Sequence, residues 1–215
     1  MPGHGLAVPP GRAGRLWLQR RLRVAGRGAE LLDRKLRILR GELEALRAEQ
    51  ARAAADWDRC RADAELWLLR ASLLGGQRAI RLAADGGPAD VTVSYATAMG
   101  VRYPSGASCA VHEPGTWDGA VLSSTRQAHR TALAAAVRYA AAAEAVRVIE
   151  AETLATRYRV RAIKDRWIPR LEQALAEVTL AIEEQEIADA ARLRLRAGRP
   201  FITAPARDES RHIWP

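Results

Sequence analysis

The chain has 215 residues, 48% hydrophobic but only 5% aromatic, with a formal charge of +9 carried almost entirely by arginine, since Lys35 and Lys164 are its two lysines. Alanine, leucine, arginine and glutamate dominate, a mixture that suits long helices and argues against a thick, aromatic-rich core. The arginines are spread along the chain and interleaved with glutamates, which fits a GC-rich coding sequence better than a concentrated nucleic-acid footprint.

A helix is predicted to start near Gly11 to Arg15, after Pro9-Pro10. From Leu22 its apolar seam runs Ala25, Ala29, Leu32, Leu36, Leu39, Leu43, Leu46, Gln50, Ala53, Trp57, Cys60, Ala64, Trp67, Ala71 and Leu74. The steps alternate three and four without interruption, the 3.5-residue period of a left-handed coiled coil. Gly26, Gly28 and Gly41 interrupt it, each at about 1 kcal/mol relative to alanine, which suggests close approach of another backbone. The segment is expected to cover 12–84.

Residues 85–123 change character, with glycine, proline, valine, threonine and tyrosine replacing the helix formers. VTVSYA and GVRYP read as strands and SCAVH as a candidate third, so this insert is expected to be a β-rich knob built on a hairpin. Helical pattern returns over 124–197, with Ser124 and Gln127 forming a capping-box signature. Its seam reads Ala142, Val146, Ile149, Thr153, Thr156, Val160, Ile163 and Trp167. A second step of four leads to Leu171, and then Ala174, Val178, Ala181, Gln185, Ala188, Arg192 and Leu195 follow. Two consecutive steps of four are a stutter, and this one brackets Pro169, whose missing N–H and bulky ring disturb a helix interior by about 3 kcal/mol.

The expected architecture is therefore mainly α. Two helices of about 70 residues pair as an antiparallel coiled-coil hairpin with a small β-containing insert at the turn, and a tail over 198–215 is disordered. Symmetric pairing about the turn would make facing residue numbers add to about 208, placing Gly41 near Trp167.

Catalytic signatures are missing. The sequence contains no phosphate-binding glycine loop, no C-x-x-C and no H-E-x-x-H, and its four histidines share no ligand spacing. Cys60 and Cys109 lie far apart in unlike contexts, which argues against a disulfide framework or zinc site and for a reducing compartment. Carboxylates such as Glu150 and Glu152 are expected on solvated helix faces, and the seam tryptophans Trp57, Trp67 and Trp167 in the core. No apolar run reaches transmembrane length, and MPGHGLAVPPGRAGR lacks the apolar stretch of a signal peptide. The expectation is a soluble cytoplasmic protein with no catalytic residues, cofactor or metal site.

Against this background RYRVRAIKDRWIPRLEQAL resembles a segment of the D subunit in V/A-type rotary ATPases. The family pattern, roughly T-R-R-R-V-N-A-L-E-x-x-x-I-P-R-L, is matched by Thr156, Arg157, Arg159, Val160, Ala162, Ile168, Pro169, Arg170 and Leu171. Tyr158, Arg161, Ile163, Lys164 and Trp167 depart from it or occupy its variable places. RLRVAGRGAELLDRKLRILRGEL is similar to the family's first-helix motif through Leu22, Ala25, Gly28, Leu31, Leu32, Lys35, Arg37 and Leu39. MGVRYP is similar to its G-V-x-x-P element. The resemblance covers about residues 9–197. It implies a non-catalytic central-stalk component, the rotor shaft, which conveys torque between the ATP-hydrolysing A/B hexamer and a membrane ion-translocating ring. It also implies a small F-type stalk subunit and a funnel-shaped C/d subunit as partners, no direct nucleic acid, and membrane association only through the V1/A1 complex. The kink and partner contacts then fall on Arg157, Arg159, Trp167, Ile168, Pro169, Arg170, Leu171, Gly28, Lys35 and Arg37. The alternative from composition and periodicity is a free-standing basic coiled-coil scaffold or nucleic-acid-binding hairpin. Arg20, Arg21, Arg23 and Arg27 would be its densest basic cluster.

Overall fold

The computed structural model describes residues 7–83, 88–111 and 119–197. The tail read as disordered lies outside them, as do His112 and Trp117 of the insert. Helix α1 spans Gly11–Ala83 and strands β1 and β2 span Asp90–Ala98 and Val101–Ala110. Helix α2 spans Ala120–Ala162, a five-residue π-helical turn occupies Ile163–Trp167, and α3 spans Ile168–Ala197. The fold is mainly α, a helical hairpin carrying a small β insert. The chain divides into two compact units. One holds the first turns of α1, up to Gly26, and the chain from Arg166 onward; the other holds Arg27–Asp165.

The larger unit is organised by the predicted seam. Leu36, Leu39, Leu43 and Leu46 of α1 are buried, as are Ala145, Val146, Ile149, Thr156 and Val160 of α2. Leu39 and Ile149 are fully sequestered within one apolar cluster. Alanine-rich stretches of α2 let the helices approach, and Trp57 stacks flat on Tyr139, ring centroids 5.4 Å apart. Exposed faces carry Arg–Glu pairs such as Arg61–Glu65 at i,i+4, each worth about 0.3–0.5 kcal/mol.

The register differs from the expected one. Cross-helix partner numbers add to 187 for Lys35 with Glu152, 194 for Asp56 with Arg138, 196 for Trp57 with Tyr139 and 197 for Asp33 with Lys164, all below the expected 208. The offset from 208 is three helical turns or more. It arises because the two arms leave the insert asymmetrically. The helix α2 begins at Ala120 behind Gly119, a turn before the Ser124 capping signal. The helix α1 breaks at Gly76, whose φ of 71° and ψ of 168° lie outside the helical region and favour glycine. The carbonyls of Trp67 and Ala83 accept hydrogen bonds from the adjacent residues Thr125 and Arg126, yet a straight helix would hold them about 24 Å apart. The stretch beyond Gly76 therefore turns back toward the start of α2, and Leu74, expected in the seam, is exposed.

Gly41 accordingly lies abreast of α2 residues well before Trp167. A Cβ built on Gly26, Gly28 or Gly41 meets nothing within 4 Å, so none of the three marks a close backbone approach. Gly41 is exposed and Gly26 and Gly28 are half-buried, each with open space where a side chain would stand.

The insert is a two-stranded antiparallel hairpin. Met99 and Gly100, with φ of 49° and 81°, form its two-residue turn, the positive-φ pair that matches strand twist. Tyr95 faces Pro104 and Ser94 faces Gly106, leaving Ser105 as a bulge. That irregularity accommodates a proline unable to donate to a ladder. The candidate third strand is the far end of β2, since Ser108 pairs with Thr92 and Cys109 with Val91. Tyr103 reaches into the apolar cluster, and its hydroxyl donates to Glu42 at 2.6 Å. That bond, then burial, then the charges of Glu42 and Glu49 push the phenol pKa up to about 12.

In the smaller unit Leu18, Leu171 and Ile182 are buried, and Arg12 pairs with Glu186 at 2.6 Å. The predicted seam holds to Val178 and then moves to Ile182 instead of Ala181. Another step of four makes the local period longer than 3.5. Ala181, Gln185, Ala188, Arg192 and Leu195 are exposed.

Two substitutions separate seam from outer face. Leu39→Ala is expected to lower unfolding free energy by about 2–5 kcal/mol, whereas Gly41→Ala should raise it by about 0.4–1 kcal/mol. Urea titration followed by far-ultraviolet circular dichroism measures both, and destabilisation by Gly41→Ala would show that this face is packed.

Candidate functional site

Glu152 occupies the position where the matched motif residues converge. Lys35 Nζ of α1 donates to its Oε1 at 2.7 Å, and both side chains are less than a quarter exposed. Thr156 Oγ1, one turn on, donates to the same oxygen at 3.4 Å, and Arg159 NH1 stands 3.7 Å from it. Thr156 is itself fully buried in the seam. The Lys35 hydrogen bond is the main cause that holds the Glu152 carboxyl below its ordinary range, opposed by burial and reinforced by the charges of Lys35 and Arg159. Beyond this clasp Lys164 pairs with Asp33, a second cross-helix tie next to the π-turn.

Glu152 was expected on a solvated face, and the structure corrects that. The signal was present: Glu152, Thr156 and Arg159 lie at i, i+4 and i+7, one helical stripe. What hid it is that a carboxylate beside a seam looks solvated until its cross-helix partner is known. Glu150, two residues earlier, does face water and reaches Arg47 at 2.6 Å.

The π-turn resolves how a proline sits within a seam. Pro169 is the second residue of α3, directly after Ile163–Trp167. A π-turn closes i→i+5 hydrogen bonds and adds one residue to the helix. That extra residue converts a step of three into a step of four, so Ile163, Trp167 and Leu171 all stay on the covered side. In a π-turn a carbonyl bonds one residue further on than in an α-helix, and a proline in a first turn has little N–H bonding to lose. The stutter is thus absorbed by one wide turn.

Of the candidate residues, Lys35 and Arg159 meet at Glu152. Trp167 and Ile168 are half-buried, Leu171 is fully buried, and Arg157, Arg37, Pro169 and Arg170 are exposed. Gly28 is half-buried, on open space. Elsewhere the tryptophans seal edges more than they fill a core: Arg21 lies over Trp17 at 4.4 Å and Arg70 over Trp67 at 4.7 Å. Among the described residues no group of three or more potential ligands could hold a metal ion. No described helix is long and apolar enough to cross a membrane.

Similarity to known proteins decides the family. The family profile for the D subunit of ATP synthase matches residues 16–196. The chain belongs to the family of ATP synthase D subunits. The V-type ATP synthase D subunit of Anaeromyxobacter sp. (strain Fw109-5) is 31% identical over 211 residues, spanning 93% of this chain and 98% of the relative. The matched span takes in both helical arms, the hairpin, the Glu152 clasp and the π-turn, so the family likeness belongs to the architecture as a whole.

The clasp has a pH signature. Because the folded-state pKa of Glu152 is lowered from 4.5, its contribution is present above that value and lost as pH falls through the folded value. For a less than quarter-exposed pair the loss is about 1–2 kcal/mol, between surface and buried bridges. Glu152→Gln should therefore melt lower than the parent at pH 7, and the gap should narrow as pH falls below the ordinary carboxylate range. Parallel Tm curves from pH 7 to pH 3 would show that Glu152 does not act through its charge.

Proposed function

We propose that this protein is the non-catalytic central stalk of a V/A-type ATP synthase or ATPase, a rotor shaft that carries torque between an A/B catalytic hexamer and a membrane ion-translocating ring. The observation that carries the reading is the near-full-length match to the D-type subunits. The structure supplies a physical reason for the role. A torque-bearing helix pair must not slip, and the ties Lys35–Glu152, Asp33–Lys164 and Arg47–Glu150 oppose sliding along a seam of interchangeable alanines and leucines.

The small F-type stalk subunit, the hexamer and the funnel-shaped C/d subunit are the proposed partners. The complex would stand on the cytoplasmic side, peripheral to the membrane. Exposed apolar side chains in the smaller unit, including Leu16, Leu180, Ile187, Leu193 and Leu195, favour burial in an assembly. Within this reading Arg37, Arg157, Pro169 and Arg170 present the exposed part of the contact set. Arg159, also exposed, joins that set, while Gly28, Lys35, Trp167, Ile168 and Leu171 shape the helix beneath it.

Affinity purification of the tagged full chain from its native host should recover A-, B- and F-type subunits in stoichiometric amounts. Nucleic acid released steeply by salt, without those subunits, would replace this reading with a nucleic-acid-binding hairpin. A second test addresses the π-turn. Since the wide turn already relieves Pro169, Pro169→Ala should melt at the same or a slightly higher temperature, well short of the ~3 kcal/mol gain of a strained helix interior. The reassembled complex should meanwhile lose turnover or coupling. Unchanged ATPase rate and coupling in a variant whose π-turn has closed would remove the functional role of this element.

A further inference from the structure

The hairpin is held in an unusual way. Along both strands Tyr103 alone is buried, at 7% exposure, and it lies near the turn rather than near the strand ends that join the helices. Its ring sits among Leu39, Leu43 and Leu46 of α1 and Ala145 and Ile149 of α2, and its hydroxyl is bound to Glu42. Only Ala96, Ala98 and Val101, around the same turn, pack beside it. Farther along β2, Pro104 to Ala107 stand over a cavity of about 330 Å³, whose opposite wall includes Glu49, Arg52, Asp56 and Arg138. Leu46, Ala53, Ala142 and Ala145 line it too, and Pro104, Gly106, Ala107 and Cys109 of β2 are only half-buried. Val91, Val93 and Tyr95 are exposed.

We propose that the hairpin is a strap that docks and undocks as one unit, with Tyr103 as its latch. Undocking uncovers an apolar seat on the helix pair without separating the helices. Their own ties, the Glu152 clasp, the Asp33–Lys164 pair and the Trp57–Tyr139 stack, involve no hairpin residue. Opening the strap costs the burial of Tyr103, the partial burial of Ala96, Ala98, Val101, Pro104 and Ala107 and one hydrogen bond, while global unfolding costs the whole seam. Contiguous units of low local stability behave in this way. A lone two-stranded hairpin is marginal in water, so its ladder depends on the docked tyrosine. The inference concerns the internal mechanics of the fold and holds whether or not the stalk reading does.

Amide hydrogen exchange on the full chain tests it. Peptides from 88–111 should exchange together at least tenfold faster than peptides from 36–50 and 142–152. Tyr103→Phe, which keeps the ring but loses the hydroxyl, should speed hairpin exchange about tenfold, the equivalent of 1.4 kcal/mol. Tyr103→Ala should abolish hairpin protection. In Tyr103→Phe the helix peptides should stay within about twofold of the parent. Equal acceleration of hairpin and helix peptides would make them one cooperative unit and overturn the strap. So would a hairpin that keeps its protection in Tyr103→Ala.

Discussion

A seam of leucines and alanines attracts but does not index. Shifted by a heptad, Leu39 or Leu43 finds much the same neighbours, and apolar burial alone discriminates weakly between such registers. The half-buried Lys35–Glu152 pair discriminates strongly, because any slip leaves a carboxylate beside the seam without its cation. The rest of the larger unit depends on that register. It brings Leu39 to Ile149 and Trp57 to Tyr139, and it assembles the apolar hollow from two helices into which Tyr103 drops. Specificity in this fold is thus set by a few polar ties laid across a generic apolar surface.

The same division of labour explains the π-turn. A strict heptad seam cannot continue through two successive steps of four, so the helix must rotate its contact stripe or take in an extra residue locally. It takes in the residue, at Ile163–Trp167, directly before a proline that would disturb an ordinary turn. Asp33–Lys164 ties the first part of that turn across to α1. One local irregularity answers both the periodicity and the missing N–H, and it falls within the span matched to the ATP synthase D-type family.

Much of this was legible in one dimension. The long heptad run, the two strands of the hairpin and the helix irregularity around Pro169 all rest on local spacing. Local spacing survives folding because helices and tight turns are made of near neighbours. What misled were signals that are local but weak, or global but invisible. Ser124 and Gln127 form a capping box by composition, yet the helix extends a turn further back to half-bury Val121 and Leu122. The three glycines suggested close approach, yet all meet open space, because a glycine's absence of side chain does not say what faces it. Glu152 read as surface charge until Lys35, 117 residues away in sequence, was placed against it.

By itself, then, the sequence determined the helical arms, the central part of the seam, the hairpin and the position of the helix irregularity, since each follows from periods of 3.5 and 2 or from the special backbone of proline. Only the tertiary structure decided the register, the reversal after Gly76, the clasp on Glu152 and the seating of Tyr103 between the helices. Those features depend on which distant residues meet. An ion pair or a buried aromatic acquires its energy only when its partner arrives, and nothing in the spacing along one strand of chain encodes which partner that will be.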